Sequence, residues 1–286
     1  MESIKKPQAI VYREMAFLLV VLSAFVGLYF HVILEMAGVW QTNDNYSHGF
    51  FIPLISLYMI YGIRQNISRV PINPSNIGLL FIVIGLGQLY VASVGSEYFL
   101  QRTSIIIVLF GVSIFLWGFK VTQLLFLPIA YLVFMVPLPA IVWNKIAFPL
   151  QLFSSACTES VVRMFGIPIF REGNILHLAQ TTLEVIDACS GLRSLNTMFA
   201  LSAALAWFST FAKWKKWILF LSAAPIAIFA NIIRLTLTAF LASKYGEQAA
   251  QGFLHEFSGL FTFAFGLLLL IVTSRLLSIS KPQILN

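Results

Sequence analysis

Leu183-Glu184-Val185-Ile186-Asp187-Ala188-Cys189-Ser190-Gly191-Leu192-Arg193-Ser194 opens a run that stays largely apolar to residue 211. A short polar segment passes directly into about twenty mostly apolar residues, the length that crosses a hydrocarbon core as a helix. The stretch also carries one of only two cysteines in 286 residues. A thiol where a water-facing segment enters a membrane helix is either a small packing residue or a nucleophile at the bilayer surface.

Composition settles the class of protein first. The chain is 59% hydrophobic and 10% charged, against about 25% charged in soluble domains. It is an integral membrane protein, and spans that must close their own backbone hydrogen bonds are helical by default. The alternation of a membrane barrel is absent. The expected fold is an all-α polytopic membrane protein with about eight transmembrane helices, near 15–37, 50–63, 77–95, 103–119, 121–138, 191–211, 216–243 and 257–277. The first is too long for a signal-peptide core and is expected to be retained. With no internal repeat or linker, residues 1–286 form one domain.

The net charge of +7 does not point to nucleic acid, because the basic residues lie in short clusters between apolar runs. Lys5, Lys6, Arg13, Arg64, Arg69, Lys120, Lys213, Lys215, Lys216, Arg275 and Lys281 all fall on one side of an eight-span chain. Both termini are therefore expected in the cytoplasm. The richer polar chemistry then faces outward. Cys157 and Cys189 make no disulfide framework, and there is no zinc spacing, so neither metal nor cofactor is expected.

The outer segment 139–188 is unusual. Residues 141–165 suit a helix lying in the interface before span six, with Pro149 breaking it or starting a turn. Ile167 to Leu178 and Thr182 to Ile186 suit short strands around Gly173-Asn174. This small extracytoplasmic β element would deliver Cys189 to the mouth of span six. Asn43 to Gly49 is the other dense polar stretch, suited to a turn capping the second helix. His31 and Glu35, one turn apart, suit a buried pair.

Three chemistry-bearing side chains share one depth. Cys189 precedes span six and His255 precedes span eight. Eighteen residues separate Lys216 from Arg234, roughly 27 Å of helix, so Arg234 lies near the outer surface. Nearby cations lower a thiol pKa. An imidazole takes the thiol proton or protonates a leaving amine. A guanidinium, which does not act as a base, suits an oxyanion or a thiolate. Arg193, one turn past Cys189, is a second candidate for that task. Asn231 shares the face of Arg234, and Tyr46 and His48 suit a substrate groove. Each has a bland alternative in packing or a structural ion pair; agreement in depth is what favours a site.

Asp187 to Ser194, Asn231 to Arg234 and Gly252 to Gly259 resemble signature blocks of the exosortase/archaeosortase family. Tyr46-Ser47-His48-Gly49-Phe50 resembles its N-terminal block. The resemblance implies a membrane-embedded cysteine protease-transpeptidase of the bacterial inner membrane with its site facing the periplasm. Its catalytic residues fall on Cys189, Arg234 and His255; histidine in the third place resembles the bacterial form. The implied partners are exported proteins with a C-terminal sorting tail (a Pro-Glu-Pro-like motif, one span and a basic end), membrane lipid, and a glycan or lipid acceptor. Arg193, Asn231, Tyr46 and His48 are then substrate-binding candidates. The rival expectation is a non-enzymatic factor for extracellular polysaccharide export or assembly, with Arg234 and Arg193 holding an anionic glycolipid.

Overall fold

Long apolar runs punctuated by proline, glycine and charge dictate the element order. In a computed structural model describing residues 8–179, 181–185, 192–246 and 253–279, these runs become helices α1 (Gln8–Thr42), α2 (Phe51–Gly62), α3 (Arg64–Arg69), α4 (Ile77–Val94), α5 (Tyr98–Trp117), α6 (Phe119–Tyr131), α7 (Ala140–Met164), α8 (Leu192–Phe208), α9 (Lys213–Tyr245) and α10 (Phe253–Ile279). Two 3-10 helices, η1 (Asp44–Phe50) and η2 (Leu132–Met135), join them.

Among the described residues, five helices are long and apolar enough to cross a membrane: α1, α4, α5, α9 and α10. A sixth arises if the bent pair formed by α6–η2 and α7 is one span. The eight expected spans thus differ from this count in α2, α6 and α8, which have 12, 13 and 17 residues. At about 1.5 Å per residue α2 and α6 fall short of the ~30 Å core, while α8 begins at Leu192, where the described residues resume. The break after η2 has a local cause. Val136 is extended ahead of Pro137, as the steric restriction before proline requires, and Pro139 caps α7 with φ −58° and ψ 141°. The two arms meet at 80°. Pro149, expected to interrupt the next helix, instead sits inside a continuous α7. One proline removes only one rung of the ladder, and the buried face of Trp143, Ala147, Gln151 and Ser154 runs past it.

The strands form as the turn chemistry demands. β1 (Ile169–Glu172), β2 (Ile175–Leu178) and β3 (Thr182–Glu184) make an antiparallel sheet in the order β1-β2-β3. Glu172 pairs with Ile175 across Gly173-Asn174, and Gly173 takes the φ of 63° that glycine tolerates in so tight a loop. Leu176, Leu178 and Val185 bury one face of the sheet against Val162 of α7 and Leu235 and Ala239 of α9.

The helices are apolar outside as well as inside. On α1, Leu19, Val20, Leu22 and Phe30 point outward, while Tyr29, Val32, Met36 and Trp40 are buried along one stripe. Lipid is as apolar as leucine, so close packing and interhelical hydrogen bonds hold such helices together. Both are present. A Cβ on Gly78 would meet the Gly111 carbonyl oxygen at 2.6 Å and one on Gly111 the Ile82 nitrogen at 2.7 Å, so α4 and α5 touch backbone to backbone. Tyr29 and Ser104 link α1 to α5 at 2.9 Å, the Ser56 hydroxyl donates to the Pro128 carbonyl at 2.7 Å, and Tyr131 donates to the Ala200 carbonyl at 3.1 Å. His31 and Glu35 do pair, at 3.3 Å, but His31 is exposed on the outside of the bundle rather than buried.

Candidate functional site

The site is built where η1 meets the first turns of α8. Asn43 starts η1 by accepting the Asn45 amide proton on its side-chain oxygen at 3.0 Å, a common helix-start device. The same turn then reaches α8. The Arg193 Nε donates to the Asn45 side-chain oxygen at 3.1 Å, and its Nη1 lies 3.4 Å from Asp44. His48 is held from both ring nitrogens. The Asn196 amide lies 3.3 Å from Nε2 and the Thr197 hydroxyl 3.3 Å from Nδ1. Thr197 in turn donates to the Arg193 carbonyl at 3.1 Å. Burial lowers the His48 pKa from the usual 6.5, outweighing the opposing pull of the Phe134 carbonyl. Burial thus disfavours the charged form of the ring.

Below this closure lies a cavity of about 610 Å³. Asp44, Ser47 and His48 line it from η1; Arg193, Ser194 and Thr197 from α8; Arg234 from α9; and Gly259, Thr262 and Phe263 from α10. Four segments far apart in sequence therefore share one polar chamber. Arg234 is 8% exposed and Arg193 has a side chain 42% exposed, so one guanidinium forms the deep wall and the other the rim. Two guanidiniums facing one cavity favour an anion, or charge that develops on an oxygen.

The expected site residues divide into three groups. Arg234, Arg193 and His48 line the cavity together. Tyr46 and Asn231 are buried and are not among its lining residues. Tyr46 packs against Trp143 at 5.6 Å between ring centres, and its hydroxyl accepts the Leu138 amide proton at 3.1 Å. Burial raises its pKa. Those contacts tie η1 to the start of α7. Cys189 lies outside the described residues. His255 falls in the first turn of α10, and its side chain is likewise outside them.

Several contributors carry no sequence signal. Asn45, Asn196 and Thr197 become recognisable only when η1 and α8, nearly 150 residues apart, are brought together. Arg102 is 7% exposed inside α5. It lies 5.6 Å from the Tyr98 ring centre, and its Nε has no hydrogen-bond partner among the described residues.

Residues 40–272 match the family model described as transmembrane exosortase (EpsH). The chain belongs to the transmembrane exosortase family. The exosortase match starts at Trp40, just ahead of η1, and ends within α10, so it takes in every residue lining the arginine cavity. Multiple apolar helices and exosortase membership together make this a multi-pass membrane protein. Comparison with curated proteins finds no match, nor does comparison with solved structures.

Proposed function

We propose that this exosortase family member is a membrane-embedded cysteine protease-transpeptidase that removes the C-terminal sorting tail of exported proteins. The observation that carries the reading is the cavity. It gathers Arg234 with Arg193, which lies four residues beyond Cys189 in the chain. The substrate's own membrane helix lies among the spans and presents its motif at the outer surface.

Chemistry follows from the residue types. The Cys189 thiolate attacks the scissile carbonyl carbon, and the carbonyl electron pair moves onto oxygen. Arg234 stabilises that oxyanion, a contribution of about 10²–10³-fold when a single donor of this kind is removed. Collapse of the tetrahedral adduct breaks the C–N bond, and His255 protonates the departing amine. The product is a thioester of Cys189. Water, or an amine on a glycan or lipid carrier, attacks the thioester, releases the substrate body and returns the thiol. Arg193 orients the substrate at the rim. The site faces the periplasm and both termini the cytoplasm, an orientation supported by the basic clusters, which share one side of a chain that crosses eight times.

Two guanidiniums in one chamber also suit an anionic glycolipid in a non-enzymatic export or assembly factor. The two readings separate cleanly. In cells coexpressing a tail-bearing substrate, Cys189→Ala accumulates full-length substrate while the variant stays inserted at normal levels. Normal processing by Cys189→Ala, with a defect confined to Arg234→Ala, would establish the glycolipid reading instead.

A further inference from the structure

A second cavity, of about 580 Å³, opens at the other end of the same two helices. Ala203 and Ala206 of α8 leave room where bulkier side chains would fill the gap to α6, and Tyr131, Phe134 and Phe220 form its walls. Its polar character is confined to the rim, where Lys213 and Lys216 stand beside Trp207 and Trp217. The Tyr131 hydroxyl does not serve the interior, since it donates to the Ala200 carbonyl. None of the lining residues is acidic.

The three basic residues at this end have different employment. Lys215 is buried and donates to the Leu277 carbonyl at 2.8 Å, joining α9 to the end of α10. Lys216 reaches only the Trp207 carbonyl, at 3.5 Å, the outer limit of a hydrogen bond. Lys213 is exposed and makes no hydrogen bond or ion pair among the described residues. An apolar groove is thus crowned by two ammonium groups whose charge nothing on its rim offsets.

We propose that this groove binds one anionic membrane lipid, with an acyl chain between α6, α8 and α9 and the phosphate on Lys213 and Lys216. Charge selects the occupant, since a zwitterionic lipid brings its own cation to a rim that already holds two. Size excludes a partner helix: at about 10–12 Å across, little more than one turn would fill the volume. Aromatic rings at the rim match the headgroup level, where tryptophan commonly resides. The groove lies roughly 27 Å along α9 from Arg234, so its occupant is separate from any substrate of the arginine cavity.

The test uses the full chain, purified in detergent, delipidated and titrated with phosphatidylglycerol or phosphatidylcholine of identical acyl chains, with retained lipid counted by native mass spectrometry. One phosphatidylglycerol is expected to bind at least ten-fold more tightly than phosphatidylcholine. Each lysine contributes about five-fold, so the Lys213→Ala/Lys216→Ala double variant should erase the preference. Ala203→Trp, which fills the groove, should weaken both lipids alike; the milder Ala206→Leu provides the same readout should the larger change prevent folding. A preference that survives the double lysine change overturns the proposal. So does unchanged affinity in a correctly folded groove-filling variant.

Discussion

The helices α8 and α9 line two cavities of nearly equal size at their opposite ends, about 610 Å³ and about 580 Å³. At one end the walls carry two arginines, a histidine, an aspartate and the four hydroxyl side chains of Ser47, Ser194, Thr197 and Thr262, and η1 is tied across α8 by hydrogen bonds. At the other, alanine and aromatic rings line the space and two lysines stand at its rim. The contrast between arginine and lysine follows the same division. A planar guanidinium held in a fixed network presents directional donors, whereas a flexible ammonium acts as a point charge. A rigid polar chamber suits a reaction, and a greasy groove with a mobile charged rim suits a lipid. Volume alone does not distinguish them; the locking of the first by η1 does.

The largest effect comes from breaking the directional donor. Arg234→Lys keeps the charge but loses the fork, and should cut turnover about 10²–10³-fold with the variant inserted at normal levels. A loss of less than about tenfold would mean the guanidinium does not meet developing charge. Next in size is the frame. Gly111→Val puts branched carbons where the Ile82 backbone stands 2.7 Å from a Cβ, and should destabilise the chain by about 1–3 kcal/mol, read as a lower midpoint in detergent melting. Unchanged melting would show that α4 and α5 can separate freely.

The closure comes third. His48→Leu removes both links to Asn196 and Thr197 and should raise KM by about tenfold while changing kcat less, because substrate orientation suffers before chemistry. His48 also gives a pH signature. Its folded pKa is below the usual 6.5, so the unfolded ring binds a proton before the folded one does. Its contribution is fully present above about pH 6.5 and is lost as pH falls through the lowered folded value. The protection factors of the η1 amides, corrected for the intrinsic slowing of exchange in acid, should therefore fall on acidification, and His48→Gln should flatten that dependence. The smallest effect belongs to Asp44→Asn. The Arg193–Asp44 pair has side chains 42% and 74% exposed, and a pair so well solvated contributes at most about 1 kcal/mol. Thermal stability should barely move.

Much of this organisation is visible in the residues themselves. Hydropathy locates the helices, Gly173-Asn174 locates the hairpin, and residue counting along α9 puts Arg234 at the depth of η1. Four features are not visible, for identifiable reasons. Apolar content does not distinguish a 12-residue helix packed among others from a full span, so α2 looks like a span until its length is measured. Pro137 and Pro139 announce a break, but the 80° bend depends on what α7 packs against. Side-chain direction is hidden too. Tyr46 and His48 are two residues apart, yet one packs into the core beside Trp143 and the other lines the chamber. The clamps from Asn45 and Asn196 are tertiary and have no local signature.

The account rests on a thiol, a guanidinium and an imidazole meeting at the arginine end of the bundle. The most direct measurement is crosslinking with a short bifunctional thiol reagent in a Cys157→Ser background, with Cys189 paired to a His255→Cys change and, as control, to a Lys213→Cys change at the opposite end. The account predicts efficient coupling of positions 189 and 255 and none between 189 and 213. Free labelling of 189 and 255 by a monofunctional reagent without any coupling between them would contradict it.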